Sequence, residues 1–212
     1  MEFQRIVFGI LLFFAESAGV FGEEKVDLSD LICDMPACSK IAEPKEYKAE
    51  SLKHSITLKT GLFYLQVPDD PISRIVSSDR DIIIYYKNGE QLLVGEDPGP
   101  DVSGLKNLKV NQLPEMVFTK TAKDAEPEWH ADRFFWRVAL YQKPAYFDQA
   151  SEVTYAENNG VSYFVSNSAA LGFSGSAMVS ASKIEDVFLH VKSMQMDFSN
   201  FRKVISSVNI GK

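Results

Sequence analysis

From Ser55 onward the apolar positions fall in short runs of period two, the mark of strands with one buried face. Ser55-Ile56-Thr57-Leu58-Lys59 alternates strictly, and Leu62–Val67 closes at Pro68. Ile82–Tyr86 and Gln91–Val94 flank Asn88-Gly89, and Val153–Ala156 and Val161–Val165 flank Asn159-Gly160. Both residues of Asn-Gly accept the positive φ of a type I′ turn, so each flanking pair predicts a tight hairpin. Ala177–Ala181 and Asp186–Lys192 are two further β-like runs. Strands joined by tight turns predict an antiparallel sheet.

Two stretches change to a helical period. Trp129–Gln142 carries Phe134, Phe135, Val138 and Tyr141 and stops before Pro144. Phe198, Phe201, Val204, Ile205 and Val208 form a second stripe, with Asp197 or Ser199 placed to cap it. Glu96–Ser103, with two prolines and a glycine, is expected to be a loop. Residues 23–51 are charged and interrupted by proline, and predict an extended or partly helical arm. The absence of an internal repeat leaves one α+β domain over residues 52–212. Its expected form is an antiparallel sheet with a central aromatic helix and a C-terminal helix packed on it, like an α/β/α sandwich.

The first 22 residues follow a different logic. Arg5 precedes the apolar run Ile6–Ala15, and Val20 and Gly22 sit at −3 and −1 to a cut before Glu23. A run of about ten residues is half the roughly 20 needed to cross a bilayer as a helix. Residues 1–22 are therefore expected to be a cleavable signal peptide, with the mature chain in the periplasm and no transmembrane span after cleavage. Glu2 and Glu16 dilute the pattern, and a buried N-terminal helix is the alternative.

Composition narrows the function classes. The chain has 212 residues, 45% hydrophobic and 24% charged, with a net charge of −7, which suits one globular core and excludes collagen-like or disordered polymers. An acidic balance argues against nucleic acid, whose affinity rests on cationic contacts to phosphate. The only cysteines, Cys33 and Cys38, are spaced C-x4-C around Pro36. In an oxidising compartment that reads as a local disulfide clip; free thiols are the alternative, and a metal site would want more ligands nearby. No phosphate loop, dinucleotide fingerprint or zinc signature occurs, so no cofactor and no metal is expected.

Candidate chemistry is sparse. Gly172-Phe173-Ser174-Gly175-Ser176 resembles a serine elbow, but G-x-S-x-G needs its second glycine one residue later and a helix to follow. A bend between strands is the simpler reading, and a hydrolase using Ser174 or Ser176 with His190 is the minor one. Glu128, His130 and Asp132 scatter if a helix begins there, which disfavours a metal site. His190 in a β run is expected to be a sheet residue. The acidic turns Asp69-Asp70, Asp79-Arg80-Asp81 and Glu96-Asp97 to Asp101 lack the alternation of a calcium loop. Together with Tyr85 and Tyr86 they suit a partner surface for a cationic protein.

The order of elements resembles the PsbP-like α/β/α sandwich: a paired-strand start at Ser55–Val67, a hairpin at Ile82–Val94, the helix Trp129–Gln142, then further strands and a capped terminal helix. The best-matched stretch is Val187-Phe188-Leu189-His190-Val191 followed by Phe198, Phe201, Val204, Ile205 and Val208, and the likeness spans about residues 52–208. The resemblance implies a non-catalytic adaptor. By analogy with small periplasmic proteins of comparable features, the expected function is an immunity protein that neutralises a toxin delivered by type VI secretion. An envelope accessory protein is the alternative.

Overall fold

The computed structural model describes residues 31, 33–100, 104–126, 130–169 and 172–211. The expected signal peptide, residues 1–22, lies outside them. The fold is α+β, as the hydrophobic pattern predicts.

Both Asn-Gly hairpins form. Strand β5 (Asp81–Tyr86) pairs antiparallel with β6 (Gln91–Asp97), and β7 (Val153–Asn158) with β8 (Val161–Ser166). Asn159 and Gly160 both take positive φ, +51° and +74°, as a type I′ turn requires. The first hairpin differs from expectation. At that turn only Gly89 is left-handed, at φ +92°, and its N–H donates to the Tyr86 carbonyl at 3.2 Å. The Tyr86 N–H donates to the Glu90 carbonyl at 2.9 Å, so Lys87–Gly89 form a three-residue loop with glycine in its left-handed position.

Strand β9 (Gly175–Ala181) and the long β10 (Ile184–Met194) complete the middle of the sheet. Three strands were not legible: β1 (Glu43–Pro44), β4 (Ile72–Ser77) and the short β11 (Asn209–Ile210). The eight-stranded order is β1-β7-β8-β9-β10-β6-β5-β4. The expected all-antiparallel sheet is mixed, because β1 runs parallel to β7. A three-stranded sheet, β11-β3-β2, is built from β2 (Ser55–Thr60), β3 (Phe63–Pro68) and β11 (Asn209–Ile210).

Period-two alternation divides the large sheet between two cores. On one face Ile84, Leu92, Val94, Tyr163, Val179 and Val191 meet Phe63, Leu65 and Val67 of β3. The same core takes Phe201, Val204 and Ile205 from α4 (Phe198–Ser206). Asp197 caps α4 as predicted, its carboxylate accepting from Ser199 N–H at 2.9 Å and Asn200 N–H at 3.3 Å. On the other face Phe164, Met178 and Phe188 lie under α1 (Leu113–Thr119), α2 (His130–Gln142) and α3 (Pro144–Phe147). Helices thus cover both faces.

The aromatic helix is where expected but rotated from the predicted stripe. Phe135, Trp136, Ala139 and Leu140 are buried, whereas Phe134 and Tyr141 are exposed. Ala139 and Leu140 complete the buried face, and the aromatic weight of Phe134 and Tyr141 hid them. Asp132 is buried on that face, where its carboxylate accepts from the N–H groups of Lys106 and Asn107 at 3.2 and 3.3 Å.

The described part of the arm is laid along the domain. Cys33 and Cys38 are disulfide-bonded, with Cα atoms 5.9 Å apart. Beside them Leu31, Ala37 and Ala42 join the helix-side core.

Candidate partner-binding edge

The predicted partner residues that are described occupy one end of the large sheet, around β4. They do not form a single patch. Asp69 and Asp70 are exposed in the turn that leads into β4; Asp79 is exposed in the turn that leaves it. At about 3.4 Å per residue the strand holds these two turns roughly 17 Å apart.

At the Asp79 end the sequence candidates come together on one sheet face. Asp81, Gly95 and His190 lie abreast on β5, β6 and β10. A Cβ at Gly95 would collide with the Asp81 carboxylate and lie 2.7 Å from His190 Nε2. Glycine therefore opens the gap through which Asp81 Oδ1 reaches His190 Nε2, at 3.1 Å. On the ring's other nitrogen, Asp97 Oδ2 is 3.9 Å from Nδ1, and Asp97 Oδ1 accepts from Gly99 N–H at 2.8 Å. The contact with His190 holds the Asp81 carboxyl below its ordinary range against the opposing effect of burial. Lys192, two residues along β10 on the same face, has its pKa lowered by burial, opposed by the charges of Asp97 and Asp81. Its ammonium lies 5.0 Å from the centre of the Phe173 ring.

At the Asp69–Asp70 end, Lys87 N–H donates to the Pro71 carbonyl at 2.8 Å, tying the entry turn to the β5–β6 loop. Tyr85 is half-buried beneath the guanidinium of Arg74, 4.3 Å from its ring centre. Three expected surface residues need correction or qualification. Tyr86 is only 3% exposed, because β alternation turns it into the core with Ile84. Its hydroxyl finds no hydrogen-bond partner among the described residues, and burial pushes its pKa up. Glu96 turns inward to accept from Leu62 N–H at 2.9 Å, closing the β2–β3 turn at Gly61. Asp101, like Glu128, lies outside the described residues.

The feature missed by sequence reasoning is β4 itself. It ends the sheet order, and nearly all of it is exposed, including Ile75 at 55% and Val76 at 41%. The run Ile72-Ser73-Arg74-Ile75-Val76 between two turn-forming clusters is a usable signal, weakened by its lack of strict alternation.

The hydrolase candidates are not gathered around His190. The Ser174 hydroxyl lies 3.3 Å from both the carbonyl and the hydroxyl of Ser193. Ser176 is buried on β9 opposite Lys192, while Met178 is opposite His190. Gly172 (φ +79°) precedes a strand, not the helix that a serine elbow requires. Among the described residues no group of three or more His, Cys, Asp or Glu side chains is disposed to hold a metal ion. A cleft of about 370 Å³ between residues 45–50, β7, β8 and α4 contains Lys45 and Arg202. Both are paired within the chain, Lys45 with Glu152 at 2.6 Å and Arg202 with Glu50 and Glu152 at 3.4 Å.

No protein-family model matches the chain, and no curated protein matches it. A crystal structure from Bacteroides thetaiotaomicron VPI-5482 at 1.50 Å resolution aligns with 71% of this chain at 11% identity and a TM-score of 0.33. The alignment spans 46% of that chain's length. Among the described residues no helix is long and apolar enough to cross a membrane.

Proposed function

We propose that the chain is a protein-binding domain, and in its most specific role a periplasmic immunity protein that neutralises a secreted toxin by covering it. The reading rests on β4, an edge strand whose Ile75 and Val76 are exposed and whose flanking turns carry Asp69, Asp70 and Asp79. Folded proteins protect apolar edges against association unless a partner covers them. The acidic flanks suit a partner with a cationic surface and favour fast encounter with it. An envelope adaptor would use the same surface with a different partner. Export by residues 1–22 belongs to this proposal.

The test is affinity capture from source-cell extract with a tagged chain beginning at Glu23. Three baits are compared: the unaltered chain, Ile75→Lys/Val76→Lys, and Asp79→Lys. One stoichiometric partner is expected, absent with the double variant and reduced with Asp79→Lys or at high salt. Co-expression that protects cells from that partner's toxicity would specify immunity. The same proteins at equal yield on all three baits, or none on any, would overturn the binding reading.

A further inference from the structure

We infer that the partner binds by strand addition, a basic extended segment hydrogen-bonding to the outer side of β4 and continuing the sheet as a ninth strand. This rests on the proposed binding role and adds to it the mode of contact and the chemistry of the partner.

The backbone supplies the first support. Ser78 N–H donates to the Asp81 carbonyl at 2.9 Å, and from that pair antiparallel alternation runs back along β4. Val76 opposite Ile83 and Arg74 opposite Tyr85 fall at hydrogen-bonded positions; Ser77 opposite Ile82 and Ile75 opposite Ile84 fall between them. The N–H and C=O groups of Ile75 and Ser77 therefore point away from β5, toward the open side. A register irregularity between Ile72 and Arg74 disturbs the start of the strand, but over Arg74–Ser77 the pairing is regular, and among the described residues the other usual guards are missing. The strand contains neither proline nor lysine, and its one charge, Arg74, lies over the Tyr85 ring on the sheet face.

Charge selects the occupant. If β4 of a second copy paired antiparallel, the Asp69–Asp70 turn of each copy would meet the Asp79 turn of the other. If it paired parallel, each acidic turn would meet its own counterpart. Either arrangement sets carboxylates against carboxylates at both ends, which is destabilising. A foreign strand with apolar residues in its middle and lysine or arginine at both ends meets Ile75 and Val76 centrally and carboxylates at each end. Strand addition draws affinity from main-chain bonds and specificity from such side chains.

The probe is the peptide acetyl-Lys-Lys-Thr-Val-Thr-Ile-Thr-Lys-Lys-amide, with a counterpart carrying Glu for every Lys, followed by fluorescence anisotropy at low salt. The basic peptide is expected to bind at least ten-fold tighter than the acidic one. Ile75→Pro deletes one outward N–H and leaves the β4–β5 bonds in place, so it is expected to abolish binding without unfolding the chain. Ser77→Pro makes the same deletion and serves if Ile75→Pro does not fold. Ile75→Thr keeps the N–H and is expected to weaken binding only a few-fold. Equal affinity for both peptides, full affinity in the proline variants, or no binding of the basic peptide at millimolar concentration would overturn strand addition. So would a dimer in sedimentation that Ile75→Pro dissolves. The capture experiment is independent of these peptides: a partner lost with Ile75→Lys/Val76→Lys but indifferent to Ile75→Pro would keep the binding role and remove the strand mechanism.

Discussion

The large sheet finishes its two edges in different ways. At one edge β1 is two residues long and ends in Pro44, which has no N–H to offer a neighbour. The chain around it is pinned down: Ala42 N–H donates to the Phe118 carbonyl at 2.7 Å and Lys45 N–H to the Tyr155 carbonyl at 2.8 Å. The Lys45–Glu152 ion pair adds a further tie. At the other edge five of the six residues of β4 are exposed, Ile75 and Val76 among them, and the strand has no proline. One chain therefore holds both a short, proline-ended edge and an open one. The contrast makes the open edge informative, since local means of closing an edge were within this sequence's reach.

The largest effect expected from that contrast is in stability. Phe164 on β8 is 2% exposed, its ring centre 5.3 Å from that of Phe118. Phe164→Ala is expected to cost about 3–5 kcal/mol through lost burial and the cavity left behind. Ile75→Ala, on an exposed strand, is expected to stay within about 0.5 kcal/mol. Urea unfolding of both variants measures the difference. A cost at Ile75 approaching that at Phe164 would break the comparison, because it would mean that β4 is already covered in solution.

An intermediate effect separates two lysines, one on each half: Lys192 is half-buried and Lys143 fully buried. Lys192, on the β4 side, lies within the electrostatic reach of Asp97 and Asp81. Lys143 is fully buried beneath the helices, where its ammonium donates to the Val117 carbonyl at 2.6 Å. Burial pushes Lys143 down from 10.5 to about 8, opposed by the charge of Asp124. Between those values the unfolded chain holds a proton that the folded chain has released, so stability rises with pH across this window. From pH 7 to 9.5 the difference between the unaltered chain and Lys143→Met is expected to shift by about 2 kcal/mol in favour of the former. Staying below pH 10 keeps clear of Tyr86, Tyr146 and Tyr163, whose raised values act in the opposite sense. A pH-independent difference would show that Lys143 has solvent access.

The same contrast explains what the sequence could reveal. Central strands and α4 were legible because burial imposes a strict period: Phe201, Val204 and Ile205 must all face the core. Edge strands obey a weaker rule. Pro44 reads as a breaker, and Ile72-Ser73-Arg74-Ile75-Val76 has no single buried face to give it a period. The candidate site was legible as residue types but not as geometry. Asp81, Asp97 and His190 were all singled out, yet nothing local signals that they face one another across β5, β6 and β10. That meeting depends on strand register, a long-range property. Tyr86 was misassigned to the surface for the related reason that a one-residue step along β5 reverses the face.

Gly95 gives the smallest and most selective test, because its role is local to the open half. Its backbone does not require glycine, since its φ is not in the left-handed region; the need is for space between Asp81 and His190. Gly95→Ala gains about 0.5–1 kcal/mol from a stiffer chain but incurs overpacking of about 1–3 kcal/mol, which leaves a net cost of about 1 kcal/mol. Asp81 is half-exposed and can swing toward water, which holds the cost at the low end. The diagnostic readout is its carboxyl titration by NMR. The contact with His190 lowers the Asp81 pKa, so that contact stabilises the fold above the carboxylate range and loses its effect as pH falls through the lowered value. In Gly95→Ala the Asp81 pKa is expected to return toward its ordinary value of 3.8. The part of the stability difference owed to this pair is expected to vanish in acid, with the overpacking cost remaining. An unshifted Asp81 titration in the variant would mean that the missing Cβ is not what lets the two side chains meet. The Lys143 profile, governed by the opposite half of the sheet, is expected to be the same with either residue at 95.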